Sequence, residues 1–369
     1  MSKRKILIVM GGRSMGYGGI ESMIMNYYRR IDKTSLQIDF VFFGDGEGIY
    51  DDELRANGSR LFHIPIKSKH YFKSNKALKQ LLISEKYDII HANLNAAGIY
   101  SALKIANKCG VKIRISHAHS TNHGTTSKLR WLINDYARKR IVKYSTHNFA
   151  CSDMAADWYY NGYKSYIVPN AVDTKLFVFD KKIRADMRKK LCAENDFIIG
   201  HVGNLGYPKN QIFAVMVFAA VKKKCAASQL WLIGEGEDRA ALEAKVYELN
   251  IADSVKFLGR RDDINELMQA MDCFVLPSLF EGFPVVIAEA AAADLPCVVS
   301  DTVTKSVVLT DKIILFPLEA GAEAWSDKML EYINTSRKDN CSLIAEKGFD
   351  ITKEAEKLEF FYHNGRFNE

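Results

Sequence analysis

Short apolar segments alternate with helix-length segments along most of this 369-residue chain, and that alternation restricts the fold more than any single motif does. Strands separated by helices pair in parallel through crossovers, which gives a doubly wound α/β sheet with helices on its faces. The apolar segments form two series: 5–10, 38–43, 61–64, 89–91, 112–116 and 148–151, then 197–202, 230–233, 255–258, 273–276 and 297–300. Helices are expected over 263–271, from near Pro284 onward, and over about 350–361. Between the two series, residues 166–177 carry Pro169-Asn170, where a hinge is expected. A chain of this length that is 48% hydrophobic is large for one core and comfortable as two domains, 1–168 and 169–349.

Charge separates the halves. Residues 1–170 contain 26 lysines and arginines against 13 acids, whereas the remainder contains 25 against 31. The basic residues concentrate in 67–76 and 128–143. In the second stretch Leu129, Leu132, Ile133, Tyr136 and Ile141 recur at roughly helical spacing with basic residues on the other face, which suits either an anionic membrane surface or an ordinary solvated helix. No recognised nucleic-acid-binding motif accompanies the charge, so nucleic acid is not expected as a partner. The seven cysteines are scattered, odd in number and without Cys-x-x-Cys pairs, as suits a reducing cytoplasm. The apolar run 6–10 is a first strand and is too short for a signal peptide, and no stretch approaches the ~20 residues that span a bilayer. A soluble or peripheral protein is expected.

Four loops carry the candidate chemistry. Gly11–Gly19 follows the first strand and precedes a helix; its glycines let backbone amides approach a ligand, but it fits neither the dinucleotide fingerprint nor a P-loop. The segment 115–123 holds His117, His119 and His123 with only Ser, Thr, Asn and Ala around them, a poor metal set. After the strand 197–202 come Gly203-Asn204 and, five residues beyond Asn204, Lys209. After the strand 273–276 comes Pro-Ser-Leu-Phe-Glu281-Gly-Phe-Pro-Val-Val-Ile-Ala-Glu289. A helix opening at Pro284 would aim its first amides at a ligand above the strand's carboxyl end, favouring a phosphate, and would leave Glu281 and Glu289 roughly 80° apart on it, able to address different parts of one extended ligand.

Two glutamates separated by seven residues, with Gly-Phe-Pro after the first, resemble the signature of family 4 of the retaining glycosyltransferases, and the resemblance runs along nearly the whole chain, nearest to bacterial enzymes of capsular and exopolysaccharide synthesis. It implies the GT-B type of fold: two facing Rossmann-like domains with parallel sheets and a ligand cleft between them, the last helix (about 350–369) packing back on the first domain. It also implies site roles: Glu281 with the backbone of Gly282, Phe283, Pro284 and Val285 for the donor sugar and diphosphate, Glu289 for the ribose, Gly18 and Gly19 for the diphosphate, His119 (or His117) at the reacting centre, and Lys209 on the leaving group. Arg260 is implied near the base, where the loops 234–236 and 257–260 lie. The slot where relatives carry an arginine holds Asn204, and Arg13, Arg260 or Arg261 are the cations available to compensate. The chain lacks an Asp-x-Asp motif. The implied activity is metal-independent, retaining transfer from a nucleotide sugar of UDP type to a lipid-linked saccharide at the inner membrane face. A nucleotide-sugar 2-epimerase and a sugar-nucleotide-binding accessory subunit are the alternatives.

Overall fold

The computed structural model describes residues 3–123, 125 and 127–368. Two sheets are present, and every strand pairing in both is parallel. The first contains β1 (Arg4–Met10), β2 (Leu36–Phe43), β3 (Leu61–Ile64), β4 (Ile89–Asn93), β5 (Ile113–Ala118), β6 (His147–Ala150) and β7 (Tyr166–Ile167), in the order β3-β2-β1-β4-β5-β6-β7. The second contains β8 (Phe197–Val202), β9 (Ser228–Ile233), β10 (Val255–Gly259), β11 (Cys273–Leu276), β12 (Cys297–Ser300) and β13 (Ile313–Phe316), in the order β10-β9-β8-β11-β12-β13. The expected doubly wound α/β architecture is therefore present twice. Strands β7 and β13 are additions to the sequence reading. Both are edge strands, paired on one side only; β7 has two residues and leaves no pattern to read, whereas β13, Ile-Ile-Leu-Phe, is as apolar and as long a run as β11 and did carry the strand signal.

The chain divides into two compact units, Met1–Pro169 with Thr352–Glu369, and Asn170–Ile351. In the first unit the centre of β1 is fully buried, as a parallel strand covered on both faces requires. The helix Ile351–Asn364 belongs mostly to this unit: Leu358, Phe361 and Tyr362 are buried, and the Phe361 ring meets Phe149 of β6 at 5.0 Å. Tyr362 Oη lies 2.8 Å from His91 Nδ1 of β4.

Two helices differ from the sequence reading. The helix after β11 begins at Val285, and Pro284 precedes it in an extended conformation (φ −73°, ψ 113°) as the capping residue rather than as the first helical one. Its carbonyl still accepts the Ile287 amide at 3.0 Å, so the junction keeps its place. The basic segment splits into a helix, Lys128–Arg138, and a separate 3₁₀ turn, Ile141–Lys143. Ile141 is buried, but Leu129, Leu132, Ile133 and Tyr136 are 52–68% exposed. The helix packs inward through Asn134, whose Oδ1 accepts the Ala97 amide at 3.1 Å, and Ala137, leaving its apolar side outward.

Asp272, just before β11, ties the second unit together. Its carboxylate accepts the Ile198 amide of β8 at 2.7 Å and pairs with both Arg184 and Arg188 of the helix Lys181–Lys190. Removing this acid leaves two largely enclosed guanidinium groups without their counter-ion, so Asp272→Ala is expected to destabilise the second unit by about 3 kcal/mol or more, measured by urea unfolding.

Candidate active site

Parallel doubly wound sheets bind ligands beyond the strands' carboxyl ends, where the strand order reverses. In the first unit that point lies between β1 and β4, and in the second between β8 and β11. The singled-out loops follow these strands or the next one.

In the second unit, Lys209 and Glu281 come together: Lys209 Nζ lies 2.6 Å from Glu281 Oε1, with both side chains less than one-fifth exposed. Their loops follow β8 and β11 respectively, so this pair spans the switch point. Local structure sets both partners. Lys209 ends a 3₁₀ turn, Tyr207–Lys209, and Asn210 then takes a left-handed conformation (φ 53°) before the helix Gln211–Lys224. Glu281 Oε1 also accepts from Ser278 Oγ at 2.9 Å, and the Ser278 carbonyl accepts from Thr302 Oγ1 at 2.7 Å. The Leu279 amide donates to the Pro208 carbonyl at 2.8 Å, joining the two loops directly. Phe283 is buried, stacks on Phe349 at 4.7 Å, and accepts the Asn170 amide nitrogen on its carbonyl at 2.6 Å. No side chain caps the helix Val285–Ala292, so its first amides are not consumed by one.

The neighbouring loops leave room for backbone only. A Cβ on Gly234 (φ +134°) would fall 2.0 Å from the Gly203 carbonyl oxygen, and one on Gly236 would fall 2.0 Å from that of Leu205. The Gly234 amide donates to the Gly259 carbonyl at 2.8 Å, so the turns after β8, β9 and β10 are stitched edge to edge. Asn204 is exposed at this rim, its carbonyl accepting from Gln211 Nε2 at 2.8 Å. Of the cations named for the arginine's place, Arg261 pairs with Asp263 (Nε to Oδ1 2.7 Å), and Arg260 and Arg13 lie at exposed positions.

In the first unit, Gly18 precedes the helix Gly19–Arg30 as its capping residue, and the first-turn Glu21 carboxylate covers Gly18, leaving the space over Gly19 open. Burial raises the Glu21 carboxyl above its usual range, against a hydrogen bond to its own backbone. His117 and His119 face different surroundings. His117 is fully buried, its Nδ1 3.0 Å from His91 Nε2. His119, at the carboxyl end of β5, is partly exposed, and its Nε2 lies 2.8 Å from Asn93 Oδ1. Desolvation lowers His119 to about 3, so the ring is neutral at physiological pH and can exchange hydrogen bonds with hydroxyls without carrying charge. Among the described residues, no three His, Cys, Asp or Glu gather as metal ligands. Asn93, Ser278 and Thr302 escaped the sequence reading. Asn93 and Thr302 act through contacts between different strands' ends, which no spacing in the chain signals, whereas Ser278 reaches Glu281 within one loop, three residues away.

Glu289 keeps some accessible surface yet is densely enclosed, and its carboxylate has no hydrogen-bond partner among the described residues. Desolvation pushes its carboxyl up to about 7. The folded protein therefore holds this proton where the unfolded chain releases it, so stability falls as pH rises from the ordinary carboxyl range through 7. Between pH 5 and pH 8 the contribution amounts to at most about 3 kcal/mol. Glu289→Gln is expected to remove most of that slope and to raise the thermal midpoint at pH 8 but not at pH 5, read by calorimetry at both pH values.

Comparison with known proteins gives the same picture. The family model "Glycosyltransferase Family 4" matches residues 17–176, and the model "Glycosyl transferases group 1" matches residues 196–335. EpsF of Bacillus subtilis (strain 168), assigned as a glycosyltransferase, is 33% identical over 322 residues, covering 83% of this chain and 81% of that protein. The UDP-Gal:alpha-D-GlcNAc-diphosphoundecaprenol alpha-1,3-galactosyltransferase of Escherichia coli is 27% identical across 93% of each chain. Among solved structures, Anabaena Alr3699/HepE in complex with UDP and glucose superposes with a TM-score of 0.79 at 18% identity, covering 98% of this chain and all of that one, which is likeness of fold. With two Rossmann-like parallel sheets, a glutamate pair at the second switch point and this extent of shared sequence, the chain belongs to glycosyltransferase family 4.

Proposed function

We propose that this glycosyltransferase moves a sugar, with retention of its anomeric configuration, from a UDP-sugar to a lipid-linked saccharide during assembly of a capsule or exopolysaccharide. The observation that carries the reading is the Lys209–Glu281 pair at 2.6 Å across the β8/β11 switch point, with the unpartnered Glu289 on the adjoining helix. In this reading the bond between the anomeric carbon and the diphosphate oxygen breaks, and its electron pair stays on the diphosphate. Lys209 and the first amides of the helix Val285–Ala292 stabilise that charge. Glu281 accepts hydrogen bonds from donor-sugar hydroxyls and Glu289 from the ribose. The acceptor hydroxyl attacks the face the diphosphate leaves, its proton passing to the departing phosphate oxygen. The neutral His119 orients the sugar, and no metal takes part.

The acceptor assignment draws on two observations: the Escherichia coli relative is named for a diphosphoundecaprenol-linked substrate, and the helix Lys128–Arg138 turns an apolar side outward between basic residues. No helix among the described residues is long and apolar enough to cross a membrane. Association with the anionic cytoplasmic face through this helix accounts for both. Asn204 in place of a cation favours a second reading, an accessory subunit that binds nucleotide sugar without turning it over.

A panel of nucleotide sugars, followed by release of free UDP, decides between these readings. One donor hydrolysed slowly, and faster with lipid-linked acceptor, supports the transferase; binding without turnover supports the accessory subunit; interconversion of two sugars indicates an epimerase. Lys209→Ala is expected to lower kcat by about 10²–10³-fold. Glu289→Ala is expected to weaken UDP binding by about 1–3 kcal/mol in titration calorimetry, while Glu281→Ala lowers turnover with UDP affinity nearly unchanged. Equal, negligible effects of all three substitutions would defeat these roles.

A further inference from the structure

A second charged feature of the first unit lies away from the switch point. The helices Tyr71–Glu85 and Ala96–Lys108 enclose an open groove of about 350 Å³, lined by Lys76 and Lys79 from one and Lys104 and Lys108 from the other, with Tyr71 and Tyr100 between them. Spacings of three and four residues put each lysine pair on one face of its helix, the faces that line the groove. No acid lines the groove. The helix Ala96–Lys108 contains none, and the only one in Tyr71–Glu85 is Glu85 at its far end, engaged by Arg60 at 2.7 Å. Like charges at these spacings disfavour their own helices, so an arrangement of four without a counter-ion is suited to an anion from outside. A fifth cation stands close by: Lys67 Nζ lies over the Tyr71 ring at 5.9 Å, buried and without a hydrogen-bond partner, and burial lowers it to about 8.

The surroundings identify the anion's carrier. Phe72, one turn before Lys76 on the same helix, is 85% exposed. On the other helix the Tyr100 ring packs edge to face with Tyr136 at 6.4 Å, and Tyr136 belongs to the outward apolar side of the helix Lys128–Arg138, with Leu129, Leu132 and Ile133. A free phosphate compound has no use for exposed apolar side chains beside its site, whereas a lipid headgroup carries acyl chains next to its phosphate. The helix Ala96–Lys108 begins beside the carboxyl end of β4 and runs away from it, which at 1.5 Å per residue puts Lys104 and Lys108 about 12 and 18 Å farther along. The groove is thus separate from His119 and the reacting centre.

We propose that this lysine groove is a binding site for the phosphate headgroup of an anionic membrane lipid, flanked by apolar side chains that enter the acyl boundary. It deepens the membrane reading of the first unit and rests on that reading, but not on the assignment of donor or acceptor. The groove supplies headgroup contacts that an amphipathic helix alone lacks, and it orients the first unit on the surface.

The test uses the full chain and phosphatidylcholine vesicles with and without phosphatidylglycerol. At about fivefold per lysine near an anionic surface, Lys79→Ala with Lys104→Ala is expected to weaken binding to phosphatidylglycerol vesicles by about 25-fold. Removal of two exposed lysines of the second unit, Lys189→Ala with Lys190→Ala, is expected to change it less than twofold. Donor hydrolysis in solution stays at the wild-type rate in both variants, which also reports that they fold. Leu132→Asp is expected to abolish vesicle binding, because the apolar side inserts; a wild-type chain that binds neither kind of vesicle would overturn the membrane reading and this proposal with it. Equal losses from the two lysine pairs would reduce the groove to general surface charge and overturn the proposal. So would saturable binding of sn-glycerol 3-phosphate in the groove together with vesicle binding that Lys79 and Lys104 do not affect, since the site would then serve a soluble phosphate. A protein that hydrolyses no donor yet binds vesicles through the groove overturns the transferase assignment and leaves this one standing.

Discussion

Parallel pairing is the constraint on which the rest of this structure depends. When every strand points the same way, each connection must return along a face of the sheet, and helices on both faces exclude water from the strands between them. That requirement explains why Ile6–Met10 of β1, all of β11 and, apart from His201, β8 are apolar and almost wholly buried. It also collects the strands' carboxyl ends, and the amino ends of the helices that follow, along one edge of each sheet. The polar residues of the candidate site are gathered there.

The gathering decides the chemistry. Lys209 and Glu281 are 72 positions apart in the chain yet share an ion pair, because β8 and β11 are neighbours in the sheet. Each is held by its own loop: Lys209 by the left-handed turn at Asn210, Glu281 by Ser278 and, through it, Thr302 after β12. Glu289 lies deeper, where the density of surrounding apolar groups makes its charge costly until hydroxyl donors arrive. Three carboxylate or ammonium groups within one helix and two loops thus have three different environments, and the differences follow from how far each reaches into the packed interior. In the first unit the neutrality of His119 has the same origin, since its position at the end of a buried strand removes the water that would stabilise a positive ring.

Much of the fold was legible in the chain because a buried parallel strand must be apolar and short. Eleven strands were readable from that pattern, and β3, β8, β11 and β12 have the bounds their apolar runs suggest. The edge strand β7 was not readable, because a strand paired on one side can be as short as two residues; β13, Ile-Ile-Leu-Phe, carried the same apolar signal as β11 and was legible in principle. Pro284 was misplaced by one residue, since the fixed φ of proline suits both the first helical position and the one before it, and only the ψ of 113° distinguishes them. For the helix Lys128–Arg138 the chain disclosed an apolar stripe and a basic face but not which of them meets the protein. Asn134 and Ala137 are the inward residues, and Ile141, in apparent phase with the stripe, belongs to a separate turn.

The sequence by itself determined the class of fold, the division near Pro169-Asn170, and the residue types at the ends of the strands, because these depend on local pattern and on which backbone conformations each residue permits. It also carried the family resemblance through Glu281, Glu289 and the glycines between the elements. Tertiary structure alone decided which of those residues act together. Asn93 holds His119, and Thr302 holds the Ser278 carbonyl, through contacts that cross from one strand's end to another's, and four lysines from two helices face a single groove. Such relations depend on strand order and helix packing, which arise when the whole chain buries its apolar surface at once, and no window of sequence contains them.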